Sequence, residues 1–166
     1  VVLDGGECEV GIESTILDLS GATPRILRPG RITRAQIEAK VGPVAEGGDA
    51  DSPRASGTLD AHYAPRTALL LMPRDALVAE ARQQEALGKH IGVLAIGTLP
   101  DGLRGLALPA HVDGYAHGLY AALRSLDALG ANLLLAERPP SSRDWLAVND
   151  RLRRSAAGAG LADDAP

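Results

Sequence analysis

The chain reads as an α/β protein. A small Rossmann-like parallel sheet flanked by helices is expected over residues 67–160, preceded by a few strands and one helix of another α/β unit and by a polar connector. Three observations predict this. From residue 67 onward, apolar stretches of strand length alternate with segments of helical period, and those stretches are apolar throughout, as strands buried on both faces of a sheet must be. Residues 1–42 hold only two β-rich runs and one capped helix, too little to bury themselves, so they are expected to belong to a larger sheet. Between Ala45 and Thr58 there is no Val, Ile, Leu or aromatic residue, so residues 43–66 are expected to form a linker.

The elements follow in order. Ser14–Leu19 is β-rich and closed by Ser20-Gly21. Pro24–Arg28 is a second short strand, ended by the turn dipeptide Pro29-Gly30. Thr33 caps a helix over Ala35–Val41; Gln36, three residues on, completes a capping-box pattern, and Gly42 stops the helix. Thr67–Met72 is an apolar strand and Asp75–Leu87 a helix halted by Gly88. His90–Ile96 is a strand, with a short one at Leu106–Leu108. Asp113–Leu129 carries apolar residues at 115, 119, 122, 126 and 129, one helical face, and Gly130 ends it. Asn132–Ala136 is a strand; Asp144–Ala157 is a last helix with Trp145, Val148 and Leu152 inward, and the tail after Gly158 is expected to fray.

Composition excludes several classes. The 166 residues are 45% hydrophobic and 23% charged with mean hydropathy near zero, which fits neither a disordered chain nor a membrane protein. No apolar run approaches the ~20 residues of a membrane span. The single cysteine, Cys8, rules out a disulfide framework and reads as a packed small residue rather than a nucleophile. A net charge of −4 argues against a generally basic nucleic-acid coat. The four histidines stand in no zinc-ligand spacing, so no metal site is expected. The chain opens on Val1-Val2-Leu3 without Met or a signal peptide, and is expected to be the back part of a longer protein.

The polar residues leave alternatives open. Arg25 and Arg28 flank a short strand beside a tight turn, where a guanidinium grips phosphate or forms a surface salt bridge. The hydroxyls of Ser14 and Thr15 face a cavity or close a turn. His62 and Tyr63, in an otherwise polar connector, are a docking anchor or a ligand contact. Arg151, Arg153 and Arg154 read as cations near the negative end of the last helix, with an RNA-touching patch as the sharper alternative.

Taken in order, these pieces resemble a known family. Leu3-Asp4-Gly5-Gly6, Gly11-Ile12-Glu13-Ser14-Thr15 and Arg25-Ile26-Leu27-Arg28-Pro29-Gly30 are similar to the closing segment of a YrdC-type domain. Ser56-Gly57-Thr58 through His62-Tyr63-Ala64-Pro65 resembles the linker of two-domain threonylcarbamoyl-AMP synthases. Tyr115-Ala116, Leu119-Tyr120, Leu123-Arg124, Leu126-Asp127 and Asn149-Asp150-Arg151-Leu152 resemble that family's C-terminal domain. The resemblance divides the chain into a catalytic-domain end (1–42), a linker and active-site lid (43–66) and an accessory domain (67–166).

It further implies a cytoplasmic enzyme that joins L-threonine, bicarbonate and ATP, with Mg²⁺ as the nucleotide's ion and no tightly bound cofactor. The product would be threonylcarbamoyl-AMP, which a partner transferase passes to tRNA. By position, Ser14 would contact L-threonine with Thr15 beside it, Arg28 would contact the ATP phosphates, and His62-Tyr63 would close over the nucleotide. The family's Lys-x-Arg and Ser-x-Asn motifs are absent, which implies that these residues alone carry part of the site and are inactive by themselves. The rival reading is a non-catalytic α/β module binding a nucleotide, tRNA or partner in the crevice after Met72, Ile96 and Ala136.

Overall fold

The computed structural model describes residues 1, 3–6, 8–48, 52–57 and 64–160. A small sheet comes first. β1 (Ile16–Asp18) pairs antiparallel with β2 (Arg25–Arg28), and β3 (Ala45–Glu46) joins β2 in parallel, giving the order β1-β2-β3. Between them runs α1 (Arg34–Val41). Its capping box forms as the spacing predicts: the Thr33 amide donates to Gln36 Oε1 at 2.8 Å and the Gln36 amide donates back to Thr33 Oγ1. Ile26, Ile37 and Val44 make a small core under this unit, with Leu17 beside them.

The polar connector starts later than composition suggests. Ala45 N–H donates to Pro24 O and Gly47 N–H to Ile26 O, so residues 45–46 belong to the sheet. A ladder of backbone hydrogen bonds needs no apolar side chain, which is why this strand left no mark in the hydrophobic pattern.

The second sheet is wholly parallel, in the order β4-β7-β5-β6. Its strands are β4 (Leu69–Met72), β5 (Ile91–Ile96), β6 (Gly105–Leu108) and β7 (Leu133–Glu137). α2 (Arg74–Ala86) covers one face, where Leu77 and Ala81 pack on Ile91, Val93, Ala95 and Leu135. α3 (Val112–Asp127) and α4 (Leu146–Gly158) cover the other, where Tyr115, Leu119, Leu126, Val148 and Leu152 pack on Leu94, Leu134 and Ala136. Alternate residues of β5 and β7 thus enter opposite cores, which accounts for their unbroken apolar sequence.

The last helical segment is in two parts. A 3₁₀ turn over Arg143–Trp145 leads into α4, and the Trp145 ring meets Tyr115 edge-on with centroids 5.3 Å apart. Trp145, Val148 and Leu152 are buried as expected. Leu129 is not: α3 ends at Asp127, so Leu129 falls in the following turn and is exposed. The expected fraying after Gly158 is not seen at Ala159, whose amide donates to Ala156 O and which packs against the core, and residues 161–166 lie outside the described residues. No helix among the described residues is long and apolar enough to cross a membrane.

Candidate functional site

Ser14 sits where the N-terminal arm enters β1, and its backbone is fixed from two sides. Arg28, at the end of β2 and only 6% exposed, donates from Nε and Nη2 to Ser14 O at 3.1 and 3.0 Å. From the other side Gly30 presses on the arm. A Cβ there would lie 2.3 Å from Thr15 N and 2.6 Å from Ser14 C, so only glycine permits this approach. Thr15 closes the turn with its hydroxyl, donating to Ile32 O at 2.8 Å. The Ser14 side chain stays exposed. Arg28 also reaches the connector, where Nη1 donates to Ser56 O at 2.7 Å.

The helices of the larger sheet hold the same arm from below. Gly11, at φ +75°, lies against α3 so closely that a Cβ would be 2.3 Å from His117 Cα. Ile12 enters the core beside α3 and α4. Glu13 accepts from Arg151 Nε at 2.5 Å and from the Tyr120 hydroxyl at 3.0 and 3.2 Å. Arg151 is 3% exposed; its Nη1 donates to Asp150 Oδ2 at 2.7 Å and its Nη2 to Pro29 O at 3.0 Å. Burial pushes the Glu13 carboxyl up, but the Arg151 hydrogen bond, Glu13's own amide and Tyr120 outweigh it, and the net shift is downward.

Two clefts flank this arm. One, of about 510 Å³, is lined by Cys8, Gly11, Glu13, Pro65, Tyr120 and Asp127 among others. The other, of about 620 Å³, lies between the start of α1 and the starts of α3 and α4, with Glu9, Arg31, Thr33 and Asp113 on its walls. Asp127 accepts from the amides of Arg66 and Thr67 at 3.1 and 2.9 Å and so fixes the entry to β4.

The structure therefore brings Ser14, Thr15 and Arg28 together with the connector at Ser56. His62 and Tyr63 lie outside the described residues. Two expectations are corrected. Cys8 is exposed on the cleft rather than packed, since the arm buries Ile12 and not Cys8; the amides of Gly11 and Val10 draw its thiol pKa down. The arginines of α4 form no helix-end cluster. The helix continues to Gly158, Arg151 and Arg154 are buried on Asp150, and only Arg153 is well exposed.

At the ends of the parallel strands, polar side chains pair with one another. Arg74 pairs with Glu137 at 2.8 Å and donates to Thr98 O, and Glu137 accepts from the Ile96 amide. Sequence reasoning missed Glu13 and the anchoring role of Arg151. One signal was present: position 151 shares the helical face of Val148, Leu152 and Ser155, so this arginine had to point inward.

Residues 32–157 match the family model described as threonylcarbamoyl-AMP synthase, C-terminal domain. The threonylcarbamoyl-AMP synthase of Pyrococcus abyssi is 33% identical over 93% of this chain and 48% of its own length. That of Bacillus subtilis is 33% identical over 95% of this chain and 49% of its own length. The chain thus spans about half the length of the curated relatives it matches. Among solved structures, P. abyssi Sua5 complexed with L-threonine superposes with a TM-score of 0.80 at 31% identity, over 94% of this chain and 49% of that one. A variant of that protein with an adjacent histidine and tyrosine replaced by alanine superposes with a TM-score of 0.72.

Proposed function

The chain belongs to the threonylcarbamoyl-AMP synthase family through its C-terminal domain, and from that premise we propose that it supplies part of the machinery making threonylcarbamoyl-AMP from L-threonine, bicarbonate and ATP. The observation that carries this reading is the Ser14–Arg28–Ser56 junction, where an exposed hydroxyl, a buried guanidinium and the connector meet.

The chemistry asks for two things. Bicarbonate gives carbon dioxide and hydroxide, the amine of threonine takes up the carbon dioxide to give a carbamate and a proton, and the proton and hydroxide leave as water. A carbamate oxygen then attacks the α-phosphorus of ATP, forming a P–O bond as the bond to pyrophosphate breaks. Negative charge gathers at phosphorus, and both the carbamate and the product are destroyed by water. A fixed guanidinium answers the first need and a closing segment the second.

In this reading the exposed Ser14 hydrogen-bonds L-threonine and Thr15 lies beside it. Arg28 serves the phosphates of ATP, which arrives with its Mg²⁺. A phosphate oxygen reaching Nη1 competes with the Ser56 carbonyl for that N–H, so nucleotide arrival and connector position are linked. His62-Tyr63, the only His-Tyr dipeptide of the sequence, closes over the nucleotide; the substituted histidine–tyrosine pair in the P. abyssi variant supports attention to it. The adenylate then serves a tRNA-modifying transferase in the cytoplasm.

The test is pyrophosphate release that requires both threonine and bicarbonate. The polypeptide read from the encoding frame extended upstream of Val1 is expected to show it, and residues 1–166 alone are not. Release by the 166 residues alone overturns the division of the site, and no release by the extended polypeptide overturns the function.

A further inference from the structure

We propose that Arg151 is a positioning residue for the Ser14 site, so that the larger sheet, through α4, sets the geometry of a substrate contact it does not itself make. The proposal rests on the functional reading above for the identity of the substrate, and on geometry for the rest.

Three groups of Arg151 point three ways. Nε holds Glu13, the residue before Ser14. Nη2 holds Pro29 O, the carbonyl between Arg28 and Gly30. Nη1 holds Asp150 on its own helix, which steers the fork. One buried guanidinium therefore holds both the segment leading into β1 and the residue that follows β2. Arg28 takes the Ser14 carbonyl and Arg151 the neighbouring side chain, leaving the Ser14 hydroxyl as the exposed part of a clamped residue.

The planar fork explains why arginine serves here. A lysine ammonium at this depth reaches Glu13 but cannot span Glu13, Asp150 and Pro29 O with fixed angles. Tyr120 adds a second donor to Glu13 from α3, so two helices agree on where that carboxylate sits. A shift of about an ångström in a substrate contact costs up to ~100-fold in rate, so this support matters to the chemistry as well as to the fold.

The experiment uses Arg151→Lys and Glu13→Gln, the second as the variant that preserves folding should the first not. Amide exchange in the 166-residue chain reads the arm directly, with β5 as the control for global stability. We expect protection at residues 14–16 to fall about tenfold while Ile91–Ile96 keep theirs. In the extended polypeptide, the KM for L-threonine is expected to rise about tenfold while the KM for ATP moves by under about twofold. Unchanged protection at 14–16, protection falling in step with β5, or both KM values moving together overturns the proposal. If the unaltered polypeptide forms no adenylate, the functional reading fails, while the exchange measurement still decides whether Arg151 positions Ser14.

Discussion

Arg28 shows how one side chain ties two distant segments together. Its hydrogen bonds to Ser14 O and Ser56 O are made by a charged donor in a buried setting, where each such bond contributes roughly 1.5–3 kcal/mol. Arg28→Ala is expected to lower the unfolding free energy by about 2–3 kcal/mol in urea denaturation. In the extended polypeptide it is expected to raise the barrier for ATP use by ~2–4 kcal/mol, read from kcat/KM, and unchanged turnover removes Arg28 from the site. Tyr115 makes the opposite case. Its hydroxyl is buried without a hydrogen-bond partner among the described residues, and burial, with the nearby Glu137 charge, pushes its ionisation far above the usual phenol range. Tyr115→Phe removes an unsatisfied polar atom and keeps the ring against Trp145. The expected result is an unchanged or raised Tm, by up to ~1 kcal/mol in stability; a clear loss shows that the hydroxyl has a partner. At this scale the turn-closing hydroxyl of Thr15 was legible, because a hydroxyl beside a turn bonds to backbone close to it. The Glu13–Arg151 pair was not, because it joins positions far apart in the chain and local pattern holds no record of such a partner.

Among the elements, those with chemical punctuation read best. Thr33 and Gln36 placed the start of α1, and Gly42 and Gly88 the ends of α1 and α2, because caps and left-handed stops depend on residues next to them. β3 was missed because it forms through backbone alone, and the docking of the N-terminal arm because a close approach needs a small residue and nothing more. Gly11 is the sharpest instance. Its positive φ and the α3 backbone both forbid a side chain, so Gly11→Ala must strain the arm or lift it from the helix. A destabilisation of more than ~1 kcal/mol is expected, with the loss confined to the arm as NMR shift changes around residues 8–15 and at His117. Shift changes spread through β5 and β7 instead contradict that account.

At the scale of the whole molecule, Glu13 and Asp127 each hold separate pieces of chain together, and their contacts favour the ionised form. Glu13 is drawn down despite burial by Arg151 and Tyr120; Asp127 is drawn down despite burial by Thr67 and Arg66. A folded pKa below the unfolded value near 4 stabilises above that value and is lost as pH falls through the folded one. Acidification below about pH 4 is therefore expected to free the arm and the entry to β4 before the parallel sheet melts, seen as protease cleavage near residues 8–15 while far-ultraviolet circular dichroism persists. Simultaneous loss of both signals counts against this order. Fold class was legible at this scale, since strands apolar on both sides imply covering helices. Strand order was not, because the same apolar runs fit several arrangements of one sheet. That order, β4-β7-β5-β6, has a consequence for how the chain is made. Among the described residues β4 pairs with β7 alone, and β7 is synthesised after β5 and β6, so β4 waits for it while those two form. Arg151 emerges later still. The junction at Ser14 is thus completed by a residue translated 138 positions after Glu13, so it cannot form until both sheets have been synthesised.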